Sequence, residues 1–383
     1  MDKKTVLIGE YHPWEGKVRI GCHHYARLFL QHGWRVGYIS HPVSPFHIVR
    51  VDNKLRFKNW ISGGIFTGGL FSYVPFTLLP YLNVPVLDSL YVGCKSLKLC
   101  VPPLKKILRE HQLEKVKLLF VSDPLLGGLA DIVLYEYFIF RVADEMTAFS
   151  SAPSSMRQLV QRYIVKADFL FATSKYLCEE LRHFRNDVAH LPNGCEYDHF
   201  ATPSENEPSE YNNIPRPRVI YVGAIADWFD IKLISQCATR LKDISFILIG
   251  PVSCNGNKLR DHKNVYLLGP RSYSELPAYM QHADVGIIPF VKTKLTDKVS
   301  PIKLFEYCAA GIPVVMTDLM EAGLYANQDF VLKAKTNKEF TEFLQSAIAR
   351  RHELKEKCKA FASNNSWKKR FEVIMDFLER KKL

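Results

Sequence analysis

The stretch Ser300–Val315, SPIKLFEYCAAGIPVV, places a proline, a lysine and a glutamate where a helix should begin. Pro301 suits the opening of a helix, where its absent N–H costs nothing. The free first-turn N–H groups and the helix dipole then favour an anion. Lys303 lies in that turn, within reach of a phosphate. Glu306 falls three residues on, on the same face, where a carboxylate can accept two hydrogen bonds from a ribose diol. Phosphate at a helix start with ribose one turn deeper outlines a nucleoside-diphosphate site. The same spacing also suits a Lys–Glu surface pair on an ordinary helix. Gly311 ends the helix, and Pro313–Val315 begins a buried strand.

Other chemistry-bearing residues stand nearer the start. His23 and His24 follow Gly21 and open the first helix, where either can touch a substrate or sit as a partly buried polar residue. His12 falls in the loop after the first strand, at a carboxyl end. In His190–Phe200, HLPNGCEYDHF, the Asn193–Gly194 pair is a turn signal and marks a crossover from one sheet toward the next. No Asp-x-Asp pair occurs and no His/Cys set has zinc spacing, so no metal and no cofactor is expected.

The elements that must position these residues alternate short apolar runs with amphipathic ones. Strands are expected at Thr5–Gly9, Val36–Ser40, Lys117–Ser122, Tyr137–Val142, Phe169–Thr173 and Val188–Leu191, with a helix over Arg19–His32. After the polar stretch 201–217, which holds four prolines and reads as a linker, the rhythm restarts. Arg218–Val222 ends at Gly223, followed by Phe246–Gly250, Val265–Leu268, Val285–Pro289 and Pro313–Met316. This is an α/β chain with two doubly wound parallel sheets in tandem, whose ligands belong at strand carboxyl ends. The domains expected are 1–200, the linker 201–217, and 218–360.

The 383 residues carry a net charge of +12. Residues 1–117 alone hold 17 Lys and Arg against 7 Asp and Glu, a bias that attracts anionic surfaces or phosphorylated substrates. Nine cysteines without CxxC spacing, and a start that moves straight from charge into a strand, point to a reducing cytosol without a leader segment. Residues 63–87 carry no charge and are long enough to span a membrane, but seven glycines and prolines break any helix there. Trp60, Phe66, Phe71, Tyr73, Phe76 and Tyr81 then read either as interfacial anchors or as core.

PNGCEYDHF and SPIKLFEYCAAGIPVV, set on either side of a Pro-rich stretch and preceded by ATSKYLCEELR (Ala172–Arg182), resemble the GT-B glycosyltransferases. The resemblance implies two Rossmann-like domains facing across a cleft, the donor held by the C-terminal one and the acceptor by the N-terminal one. It also implies that the final helix, 361–383, returns to the first domain. Val18–His47 and Phe140–Ser150 are similar to bacterial exopolysaccharide enzymes of the xanthan glucuronosyltransferase type. These invert the anomeric centre, use UDP-glucuronate and act on lipid-linked saccharides, which implies a peripheral protein on the cytoplasmic face of the plasma membrane. In donor binding, the resemblance assigns Lys303 to the diphosphate and Glu306 to the ribose, with Ser300, Pro301 and Tyr307 beside them. It also implies that the loop around Gly269 and Arg271 brackets the uracil, and that Gly223 lets the pyrophosphate or the acceptor approach closely. The resemblance makes Asp144, following an N-domain strand, the general base, and His23, His24 and Glu145 are expected to meet the acceptor. Many retaining relatives carry Glu eight positions before the ribose Glu. Here that position is Lys298, which favours inversion. A retaining transferase, a UDP-sugar epimerase, a basic nucleic-acid-binding protein and a binding-only protein are the competing readings. No Lys/Arg stripe interleaved with aromatics supports the nucleic-acid reading.

Overall fold

Apolar runs closed by turn residues become buried strands, and the amphipathic runs between them become helices. The computed structural model describes residues 4–16, 18–47, 53–143, 152–253 and 255–380. The chain divides into two compact units, Met1–Pro192 and Asn193–Leu383.

In chain order the first unit runs β1 (Thr5–Glu10), α1 (Gly21–Gln31), β2 (Arg35–Ser40), α2 (Lys54–Ile61), β3 (Ile65–Thr67), β4 (Leu70–Tyr73), α3 (Leu90–Lys95), α4 (Leu104–Glu110), β5 (Lys115–Val121), β6 (Leu134–Val142), α5 (Met156–Lys166), β7 (Phe169–Ala172), α6 (Lys175–Arg182) and β8 (Val188–His190). The sheet order is β3-β4-β2-β1-β5-β6-β7-β8. All neighbours are parallel except β3 and β4. Val6, Leu7 and Ile8 are fully buried, as a central parallel strand covered on both faces requires. The strand order reverses at β1, which has β2 on one side and β5 on the other. A crevice therefore lies at the carboxyl ends of these strands, near Glu10 and the residues after Val121.

The second unit runs α7 (Tyr197–Ala201), β9 (Arg218–Val222), α8 (Ile231–Arg240), β10 (Ser245–Ile249), β11 (Val265–Leu267), α9 (Leu276–Gln281), β12 (Val285–Ile288), α10 (Lys294–Lys298), α11 (Ile302–Ala309), β13 (Val314–Thr317), β14 (Val331–Ala334), α12 (Asn337–Asn364) and α13 (Trp367–Arg380). Its six strands are all parallel, in the order β11-β10-β9-β12-β13-β14, and the reversal falls between β9 and β12. Each unit has its own core. One is built around Leu7, Leu119, Phe138 and Leu170, the other around Ile220, Ile247, Ile287 and Val315.

Three segments differ from expectation. The uncharged stretch 63–87 forms the antiparallel β3–β4 hairpin, turned by Gly68 and Gly69 at φ 59° and 87°, the two-residue loop that matches strand twist. Phe71, Tyr73 and Tyr81 are buried, so these three are core rather than surface anchors. At about 1.5–3 kcal/mol for each large side chain removed from water, burial holds them there. Residues 201–217 are not a free linker. Tyr211 is 1% exposed, its hydroxyl donates to Tyr279 O at 2.9 Å, and the Arg218 guanidinium lies 4.4 Å from its ring centroid. The division between units falls at Pro192, ahead of the expected boundary at 200. No helix among the described residues is long and apolar enough to cross a membrane.

Candidate active site

In the second unit the chemistry collects at the reversal between β9 and β12. Gly223 closes β9 with φ 150°, and Gly250 closes β10 with φ 147°. A Cβ on Gly250 would come within 2.0 Å of Gly223 O, so only glycine lets the two turns cross. Pro301 is the N-cap of α11 in an extended conformation, one position earlier than its expected place as the first helical residue. Lys303 remains in the first turn. Its Nζ lies 5.5 Å from the Tyr221 ring centroid and 4.9 Å from that of Phe290, and its Cε lies 3.4 Å from where a Cβ on Gly223 would stand. Burial lowers its pKa to about 8, against the pull of Glu306. Burial raises Glu306 to about 7, with Lys303 opposing and the Glu196 carboxylate reinforcing the shift. A half-buried cation and carboxylate one helical turn apart thus flank the glycine turn. A diphosphate would restore to Lys303 the charge stabilisation that burial removes.

The other expected donor residues divide. Asn193 donates through its side chain to Ser300 O at 2.8 Å and through its N–H to Ser300 Oγ at 3.3 Å. Ser300 is buried and ties the Asn193–Gly194 turn to the start of α11. Tyr307 is fully buried, its hydroxyl accepts the Val222 N–H at 2.9 Å, and its ring fills the space a Cβ on Gly286 would need, at 2.4 Å. It is a strut beneath β9, not a donor contact, because its position on α11 faces the sheet. Gly269 O accepts the Gly250 N–H at 3.1 Å. The Arg271 guanidinium is committed to Leu268 O, Glu210 and Tyr279 at 2.7, 2.7 and 2.9 Å, which braces its loop. From that loop it is Tyr273, partly buried and electrostatically coupled to Glu306 and Glu196, that reaches the site. His199 stacks on it at 4.5 Å. Tyr273 and Glu196 were missed from sequence. Glu196, two residues beyond the Asn193–Gly194 turn, was the available signal.

In the first unit, His23 is fully buried and His24 nearly so. His23 stacks on Trp14 at 5.7 Å, its Nε2 lies 3.2 Å from Pro13 O, and its Nδ1 accepts the Ile20 N–H at 3.4 Å. Burial pulls its pKa down to about 3. His23 packs the start of α1 against Trp14 and Tyr38, so burial rather than an open surface surrounds the two residues expected to meet the acceptor. Asp144 and Glu145 lie outside the described residues.

A different cluster occupies the β1–β5 crevice. His41, just past β2, and Asp123, just past β5, meet with Nδ1 and Oδ2 2.5 Å apart. The other Asp123 oxygen accepts the Leu125 N–H at 2.8 Å, and Asp123 is buried. Tyr11 lies 4.8 Å from the His41 ring. Arg56 stacks on Tyr11 at 5.3 Å and donates to His41 O and Tyr11 O at 3.1 and 3.0 Å. Glu10 is raised to about 7 by burial, with Cys22 opposing. His12 is lowered to about 4 by burial and by Arg56. Among the described residues, no group of three or more His, Cys, Asp or Glu is arranged to hold a metal ion.

With this geometry in place, residues 216–350, from the start of β9 into α12, match the family model described as "Glycosyl transferases group 1". The chain is 31% identical over 219 residues to TuaH of Bacillus subtilis, provisionally described as a teichuronic acid biosynthesis glycosyltransferase, covering 52% of this chain and 54% of that protein. The chain thus spans about half the length of this curated relative. A glycosyltransferase from Rickettsia africae superposes with a TM-score of 0.67 at 14% identity, covering 99% of both chains. HepE of Anabaena, in complex with UDP and glucose, superposes with a TM-score of 0.66 at 14% identity, covering 98% of this chain and 99% of that one. The fold is GT-B, two Rossmann-like α/β units in one chain.

Proposed function

We propose that the chain is a glycosyltransferase that moves a sugar from a UDP-sugar to a saccharide acceptor in bacterial surface-polysaccharide synthesis. The observation that carries this is Lys303 and Glu306 on the first two turns of α11, beside the Gly223 turn, inside the stretch that matches the group 1 transferases. Lys303 and the helix N-terminus neutralise the leaving diphosphate, and Glu306 accepts the ribose hydroxyls. The reading extends to glucuronate as the sugar, to inversion, supported by Lys298 in place of a second Glu, and to a lipid-linked acceptor at the cytoplasmic face of a membrane. Membrane contact is supported by exposed Leu55, Ile61 and Phe66 on α2 and β3, interspersed with exposed Lys54 and Lys58. For the base, resemblance offers Asp144.

The test is nucleotide release from UDP-glucuronate, UDP-glucose, UDP-N-acetylglucosamine and GDP-mannose, each with and without bacterial lipid extract. Lipid-dependent release from UDP-glucuronate alone is expected. Release from another donor corrects the sugar. No release, together with no UDP binding by calorimetry, refutes the transferase.

A further inference from the structure

The loop between β9 and α8 in the second unit carries a large side chain that Lys303 and Glu306 leave unused. Ile225, Ala226 and Phe229 of this loop are buried, while Trp228 keeps 36% of its surface exposed. Of the five tryptophans, Trp34 and Trp367 are buried, Trp14 and Trp60 are half-buried, and Trp228 is the most exposed. Apolar surface left in water is unfavourable, yet the loop holds this ring in place. The Ile225 N–H donates to Pro251 O at 2.9 Å, the Phe229 N–H to Ala226 O at 2.9 Å and the Asp230 N–H to Pro289 O at 2.8 Å. Trp228 O itself accepts the Val291 N–H at 2.8 Å. Trp228 is therefore pinned between the carboxyl ends of β9 and β12, where the strand order reverses and ligands of open parallel sheets bind. Its side chain is oriented as well. The indole N–H, its one polar group, is directed at the Tyr221 hydroxyl. Phe229 packs edge-on to the same Tyr221 ring at 4.7 Å, and Lys303 Nζ lies 5.5 Å from that ring's centroid. Trp228 and Lys303 thus stand against one tyrosine.

We propose that Trp228 is the platform on which the sugar of the sugar nucleotide rests. This rests on the transferase reading and deepens it, because it separates the residue that reads the sugar from those that hold the nucleotide. The sugar hangs from the outer phosphate of the diphosphate, and Lys303 is the cation for that diphosphate. A pyranose presents one face of C–H bonds and a rim of hydroxyls. Trp228 offers the C–H face a rigid ring at low entropic cost, and covering the ring removes its exposed apolar surface from water. The hydroxyl rim stays open to other groups, so Trp228 selects for a six-membered sugar ring rather than for one substituent on it.

The experiment compares wild type, Trp228→Ala and Trp228→Phe as full chains. Calorimetry reads the affinity of each for UDP, UDP-glucuronate, UDP-glucose and UDP-N-acetylglucosamine, and the unfolding midpoint is read alongside. For Trp228→Ala, affinity for the sugar nucleotide that wild type binds most tightly is expected to fall about tenfold. Affinity for UDP is expected to stay within about threefold of wild type, with the midpoint unmoved. Trp228→Phe keeps a ring but loses the N–H, and is expected to restore sugar-nucleotide affinity to within about threefold of wild type. Equal losses for UDP and the sugar nucleotide in Trp228→Ala would overturn the platform, because the ring would then serve the nucleotide or the loop. Sugar-nucleotide affinity unchanged in Trp228→Ala would overturn it too. Both results leave the transferase reading standing, since wild type still binds UDP. Wild type that binds neither UDP nor any of the three sugar nucleotides overturns the transferase reading and the platform with it.

Discussion

The two units share a plan and differ in what stands at the reversal of their sheets. In the second, β9 and β12 end beside a lysine, a helix N-terminus and crossing glycine turns. In the first, β1 and β5 end beside Glu10, Asp123 and His41. Topology creates both crevices, but the side chains give one a lysine and glutamate beside a helix N-terminus and the other a buried carboxylate paired with an imidazole. A like fold at 14% identity therefore shows the architecture and leaves the chemistry to a few loop residues.

Three changes break or sharpen this contrast. The largest effect is expected from Lys303→Ala, which removes the cation at the second crevice. A 10²–10³-fold loss in kcat/KM for UDP-sugar is expected, measured by nucleotide release, with the first unit's unfolding transition unaffected. Next is pH. Glu306, raised to about 7, gains its charge as pH climbs through that value, so UDP affinity should rise from pH 6 to about 7.5. Lys303, lowered to about 8, then loses its charge, and affinity should fall above that pH. Calorimetry on Glu306→Gln should show roughly tenfold weaker binding and only the alkaline limb. An acid limb that survives in that variant would assign it to another group. The smallest effect on function is expected from Tyr307→Phe. It leaves the partly buried Val222 N–H without its acceptor, costing about 1–3 kcal/mol of stability. UDP affinity should change less than threefold by calorimetry. A larger change would return Tyr307 to the donor contacts.

Much of the frame was legible in the sequence because it is local. Arg218–Val222 is a strand as expected, and the ends of the expected strands elsewhere lie within about three residues of those observed, since a buried parallel strand is a continuous apolar run bounded by turn residues. The α3–α4 region and β14 were not anticipated. The hairpin at Gly68–Gly69 was obscured because four glycines and three prolines in 63–87 signal only the breaking of helices, not the pairing of what lies between. The packing of 201–217 was illegible for another reason. Its composition is that of a linker, and only Arg218, Tyr279 and Arg271, brought in from other elements, show what Tyr211 and Glu210 hold.

By itself the sequence determined the α/β rhythm and the Lys303–Glu306 pair, because helical periodicity sets a spacing of three residues on one face wherever the helix lies. The tertiary structure decided the rest. It turned Tyr307, one residue beyond Glu306, into the core, and it buried His23 and His24 within the first turn of α1. It brought His41 to Asp123, 82 positions apart in the chain. That meeting follows from β1 lying between β2 and β5, and sheet order is set by which apolar faces pack together, not by any spacing along the chain.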